Sequence, residues 1–122
     1  FEGEYLNGKR NGKGKEYHYN DKLRFEGEYL NGKRNGKGKE YYSNGNIKYN
    51  GEYYYGIKWN GFGYDCNNNI IYELKEGKGY IKEYDYNNKL IFEGEYLNGK
   101  KNGKGKEYNY GKLLFEGEYL NG

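Results

Sequence analysis

The 122-residue sequence predicts an all-β fold, an elongated single-layer antiparallel meander of stacked β-hairpins. Three observations carry that reading: an internal repeat, a period-two alternation inside each repeat, and turn signals between the alternating stretches.

The string Phe-Glu-Gly-Glu-Tyr-Leu-Asn-Gly begins at Phe1, Phe25, Phe92 and Phe115. A variant begins at Tyr49 and a degenerate copy near Tyr72. Division there gives one repeat array with units 1–24, 25–48, 49–71, a degenerate 72–91, 92–114 and a partial 115–122. The chain starts at Phe1 and ends inside the repeated motif, so it is expected to be a fragment of a longer protein.

Each unit has two extended halves. In the first, Leu23, Phe25, Gly27 and Tyr29 share one phase while Glu26 and Glu28 take the other, as in a half-buried strand. The structural set is Phe1, Gly3 and Tyr5; Phe25, Gly27 and Tyr29; Tyr49, Gly51 and Tyr53; and Phe92, Gly94 and Tyr96. Glycine between two rings on one face leaves them room. The second half reads Lys-Gly-Lys-Glu-Tyr, and a bulge near Lys15-Glu16 is expected to bring Tyr17 onto the aromatic face. Asn-Gly pairs such as Asn7-Gly8 and Asn44-Gly45 supply the positive φ of tight turns. With nine Leu and six Ile against 19 Tyr and five Phe, any core must be mostly aromatic. One unit cannot bury its own rings, so neighbours must stack. Roughly ten strands at about 4.8 Å each give a sheet on the order of 50 Å long. Its weakest stretch is expected at 64–84, around Asn67-Asn68-Asn69 and the shortened fourth unit.

Composition narrows function. No apolar run is long enough for a membrane-spanning helix, and no signal peptide is visible. Cys66 is the sole cysteine, His18 the sole histidine and Ser43 the sole serine, and threonine is absent. This argues against an internal disulfide, a zinc site and hydroxyl-nucleophile catalysis. Neither cofactor, metal site nor catalytic residue is expected. The acidic set Glu2, Glu4 and Glu16 recurs with the fold, so cross-strand pairing with Lys13 or Lys15 on the polar face is expected rather than acid–base chemistry.

The spacing aromatic-x-Gly-x-aromatic-x-x-Gly-x-x-x-Gly-x-Gly is met by Phe1, Gly3, Tyr5, Gly8, Gly12 and Gly14. It recurs at Phe25 to Gly38 and at Phe92 to Gly105. This resembles the MORN repeat (membrane occupation and recognition nexus), with Tyr at the fifth position where Trp is often seen. The third unit departs by one extra residue between Gly56 and Gly61, and the fourth reaches Gly77 and Gly79 early. The resemblance implies a twisted sheet of hairpins serving as a scaffold, an interaction module or a membrane-associated attachment.

Two candidate surfaces follow. Lys9, Arg10 and Lys13 recur as Lys33, Arg34 and Lys37 and as Lys100, Lys101 and Lys104. This basic turn is no P-loop, because no helix follows it. It reads either as a rim for anionic lipid or acidic partners or as a solubilising turn, and the net charge of +3 is small. The third unit replaces the basic pair, so Ile57, Trp59 and Phe62 form either a partner anchor or an inward-folded cap. His18 reads as a surface residue and Cys66 as an incidental thiol. Nucleic acid and small-molecule substrates are not expected, since the tyrosines are committed to the core. The sequence therefore points to a non-catalytic scaffold for protein interaction or self-association, with anionic-lipid or phosphoinositide binding and an accessory role beside an enzyme as alternatives. It is expected in the cytoplasm, either free or peripheral at a membrane or the cytoskeleton.

Overall fold

A computed structural model describes residues 1–85 and 87–120. Among them the strands are β1 (Glu2–Leu6), β2 (Lys9–Tyr17), β3 (Leu23–Leu30), β4 (Lys33–Tyr41), β5 (Ile47–Tyr54) and β6 (Ile57–Tyr64). They continue as β7 (Ile70–Leu74), β8 (Gly79–Tyr84), β9 (Leu90–Leu97), β10 (Lys100–Asn109) and β11 (Lys112–Tyr119). Strands β1–β7 pair in chain order as one antiparallel sheet and β8–β11 as a second. The expected continuous meander is thus interrupted once, where the 75–78 turn keeps a single bridge between Lys75 and Lys78.

The turn residues behave as their chemistry requires. Asn7, Asn31 and Asn98 take positive φ (52°, 50° and 54°), each followed by a glycine that does the same. These are the conformations that tight hairpins demand. Tyr55 (φ 48°) and Glu76 (φ 50°) hold the same position without asparagine. The turns also stack: Gly32 N–H donates to the Arg10 carbonyl at 2.8 Å, and Gly56 N–H to that of Arg34 at 2.7 Å. Gly77 N–H donates to the Trp59 carbonyl at 2.7 Å, and Gly99 N–H to that of Gly77 at 2.9 Å, which carries the stack from one sheet to the other. Asparagine side chains reinforce it, Asn11 accepting from Asn31 N–H at 3.4 Å and Asn35 from Tyr55 N–H at 2.9 Å.

One face carries a herringbone of rings. Phe1 meets Tyr29 with ring centroids 5.1 Å apart, Phe25 meets Tyr53 at 5.4 Å, and Phe92 meets Tyr119 at 5.8 Å, all edge to face. Each such pair adds about 0.5–1.5 kcal/mol beyond burial. Phe25, Tyr29, Tyr49 and Tyr53 are buried, together with Tyr72, Leu74 and Ile81. Beneath the rings glycines face one another across the strands, Gly3 opposite Gly14, Gly27 opposite Gly38 and Gly51 opposite Gly61. A methyl group on Gly38 would lie 2.7 Å from the Phe25 ring.

The bulges differ from expectation. Glu16 is opposite Phe25 and Tyr17 opposite Leu23, so the extra residue is Arg24, on β3. Glu16 is therefore buried on the aromatic face, while Tyr17 and Leu23 share the polar face. The same slip recurs at Lys48, Ile71, Ile91 and Leu114. A second bulge sets Asn11, Gly12 and Lys13 against Glu4. There Glu4 accepts a hydrogen bond from Lys13 N–H at 2.6 Å, and Gly12 (φ 87°) has no room for a side chain beside that carboxylate. In the third unit Gly61, not Gly63, is the partner of Gly51, so that unit is one residue short in the bulge rather than one long. Gly63 stands where other units carry the buried glutamate, and the Tyr72 ring lies against it. Leu74 and Ile81 stand opposite Gly61 and Gly94, in positions otherwise held by glycine. Their buried side chains fill the junction, which accounts for the parting of the two ladders there.

Candidate functional site

On the aromatic face the second-strand glutamates meet tyrosines of the next unit. Tyr29 Oη donates to Glu16, Tyr53 Oη to Glu40 at 2.6 Å, Tyr96 Oη to Glu83 at 2.8 Å, and Tyr119 Oη to Glu107. Arg34 lies between two of these carboxylates, with Nε 3.2 Å from Glu16 and Nη1 3.0 Å from Glu40. Lys58 approaches Glu40 at 3.6 Å and Arg24 approaches Glu16 at 3.0 Å. Burial by itself would raise the Glu16 carboxyl, but hydrogen bonds from Tyr29 and Arg34, the Arg34 charge and a bond from Arg24 hold it down to about 2. Burial, then the bond to Glu16, push the Tyr29 hydroxyl up to about 12. Burial likewise opposes ionisation of Glu40, and Lys58, Tyr53 and Arg34 outweigh it. The expected pairing of Glu16 with Lys13 or Lys15 on the polar face is replaced by this internal ladder.

The basic turns consequently divide. Arg10, Arg34 and Lys101 fold over the rings of Phe1, Phe25 and Phe92, at 4.1, 3.9 and 4.3 Å from the centroids. Lys9, Lys13, Lys33, Lys37, Lys100 and Lys104 are exposed. The stacked turns carry Lys9, Lys33 and Lys100 beside Leu6 and Leu97, which are exposed. Tyr54 and Tyr55 add an aromatic pair there, with centroids 4.7 Å apart.

Trp59 is half-buried. Its ring lies 5.5 Å from that of Tyr54 and borders Gly77, where an added methyl group would fall 2.7 Å away. Ile57 is half-buried against Gly99. Trp59 meets the next turn of the stack and Ile57 the one after it, whereas Phe62 is exposed on the polar face. His18 Nε2 is 2.9 Å from the Tyr41 carbonyl, and Cys66 offers its carbonyl to Asn46 at 2.6 Å. Both therefore help hold turns of adjacent units together.

The polar face of the first sheet forms a groove of about 1110 Å³. Its floor is the glycine line Gly3, Gly14, Gly27, Gly38, Gly51 and Gly61. One wall is the paired series Glu2, Lys15, Glu26, Lys39, Asn50, Phe62 and Glu73, one residue from each strand in order. The other holds Lys13, Glu28, Lys37, Glu52 and Asn60. Glu28 is held by Lys37 N–H at 2.6 Å and Glu26 by Tyr41 Oη at 2.8 Å. The groove was not legible beforehand, because it needs the register of seven strands; its signal was the regular Lys-Gly-Lys facing Glu-Gly-Glu.

An open array of hairpins with a charged groove across its strands is the architecture of a repeat-type interaction module. The MORN repeat model matches residues 1–21, 25–47 and 92–111, just over half of the chain, and the chain belongs to the MORN repeat family. MORN repeats are in general non-catalytic modules of protein or membrane interaction. The matched stretches omit the junction around Leu74 and Ile81, where the glycine pairs are broken. No curated protein sequence matches the chain.

Proposed function

We propose that the chain is a non-catalytic scaffold that receives a protein partner on the polar face of its first sheet. The groove carries the reading: it runs across seven strands, and its walls are side chains that contribute little to the aromatic core. The arginines that would make the turns strongly basic are consumed by internal ion pairs and ring contacts, which lowers the charge left for a bilayer. A photo-crosslinking phenylalanine analogue in place of Phe62, irradiated in cells, is expected to give protein adducts. Lipid adducts without protein adducts would overturn the proposal.

The stacked turns favour a second reading. Exposed Leu6, Leu97, Tyr54 and Tyr55 stand among Lys9, Lys33 and Lys100, a combination suited to an anionic membrane surface. Co-sedimentation with phosphoinositide vesicles, sensitive to salt and lost when Lys9, Lys33 and Lys100 become Ser, would favour it. Self-association through the outer edges of β1 and β11 belongs to the scaffold class and is read by sedimentation velocity.

A further inference from the structure

Two lysine pairs stand out in the groove. Lys13 and Lys15 flank Gly14 on β2, and Lys37 and Lys39 flank Gly38 on β4. All four side chains are exposed, and among the described residues no carboxylate lies within ion-pair distance of any of them. The strand between them presents Glu26 and Glu28, each with one oxygen accepting a hydrogen bond, from Tyr41 Oη and from the Lys37 N–H. Each carboxylate keeps its charge and one further oxygen, but on β2–β4 four ammonium groups face these two carboxylates, with Glu2 opposite Lys15 and Glu52 opposite Lys37 on the flanking strands. Two strands further, the same wall offers Phe62, 39% exposed, between Asn50 and Glu73.

Spacing specifies the occupant. Adjacent strands are about 4.8 Å apart, so Lys15, Lys39 and Phe62, on alternate strands, recur about every 9.6 Å. An extended chain in the polyproline II conformation returns the same face every third residue, about 9.3 Å along its axis. An α-helix returns it after seven residues, about 10.5 Å, and falls out of step sooner. Glycine floors the groove and lets a backbone lie close to the sheet. A chain crossing the strands here meets cation, cation and ring at equal intervals.

We propose that this groove docks an extended acidic peptide segment with carboxylates at positions i and i+3 and an apolar residue at i+6. Each carboxylate sits over a glycine between two lysines, and the apolar side chain meets Phe62. Glu26 and Glu28, standing between the pairs, disfavour an unbroken acidic run. The inference rests on the scaffold reading and supplies the chemistry of its partner.

Fluorescence anisotropy with a labelled twelve-residue peptide tests it. The probe carries Glu at positions 3 and 6 and Leu at position 9, with Ser, Gln and Pro elsewhere. Affinity is expected to fall at least tenfold when both Glu become Gln, and likewise when the second Glu moves to position 8. The same loss is expected from Lys15→Gln with Lys39→Gln in the protein, and a smaller one from Phe62→Ser. Lys9→Gln with Lys33→Gln, on the turns, should leave binding unchanged. Binding indifferent to Glu spacing, equal binding by the Lys15/Lys39 variant, or no binding at low salt would overturn the proposal. In those cases protein adducts at position 62 would keep the scaffold reading alone, and their absence would remove both.

Discussion

The guanidinium of Arg34 reaches Glu16 at 3.2 Å and Glu40 at 3.0 Å, tying β2 to β4 across the intervening strand. The repeats are thus held by more than backbone ladders. A cation from one turn neutralises carboxylates of two successive units above the rings they share.

Loss of that cation leaves Glu16 with Arg24 and Arg10, and Glu40 with Lys58, as the remaining ion partners of two largely buried carboxylates. Arg34→Gln is expected to destabilise the fold by about 1.5–3 kcal/mol, the range for losing hydrogen bonds to a charged group. Arg24, whose side chain is half exposed, should cost under about 1 kcal/mol on the same change. Chemical denaturation of the two variants checks the contrast, and equal losses would show that the ladder is not the source.

The pH dependence has a definite sign. The folded Glu16 carboxyl, at about 2, lies below its ordinary 4.5, so its contribution is complete above about 4.5 and drains away as pH falls toward 2. Tyr29, raised from 10.0 to about 12, keeps its proton in the fold, so stability declines as pH rises from 10 toward 12. Thermal midpoints across pH should show both limbs, and Glu16→Gln should flatten the acid one.

Two glycines should respond for different reasons. Gly38→Ala drives a methyl group to 2.7 Å from the Phe25 ring, and overpacking of that kind costs about 1–3 kcal/mol. Gly45→Ala meets no neighbour but must hold φ near 91°, a left-handed cost of roughly 1–2 kcal/mol. Near-ultraviolet circular dichroism separates them, because only the first disturbs ring packing.

The junction combines a weak ladder with a dense apolar centre. Amide exchange is expected to be fast across the exposed 67–69 turn, slower at Gly77, whose N–H is held by the Trp59 carbonyl, and slowest at Leu74 and Ile81, which are 1% and 2% exposed. Leu74→Ala should cost about 2–5 kcal/mol and shift the emission of Trp59, packed on the neighbouring turn, to longer wavelength. Uniform protection across residues 64–84 would contradict the first expectation.

Much of this architecture was legible in the residues. Phe25-Glu-Gly-Glu-Tyr29 alternates without ambiguity, and Asn-Gly pairs mark the hairpins, because turn chemistry and pleat are local. Tyr17 takes the polar face and not the expected aromatic one, since the extra residue, Arg24, lies on the partner strand and leaves no mark on β2 itself. The fates of Arg10, Arg34 and Lys101 were likewise hidden, as their ring contacts depend on the bulge that aims them inward.

Local chemistry in the sequence by itself determined the strands, the turns, the aromatic core and the repeat family. Only the tertiary structure decided which charges are spent internally and which remain for a partner. Glu16 and Lys15 are neighbours in the chain, yet one is buried beneath Tyr29 and Arg34 and the other stands free in the groove. Register and bulges decide which face each takes, and they exist only once neighbouring repeats have paired.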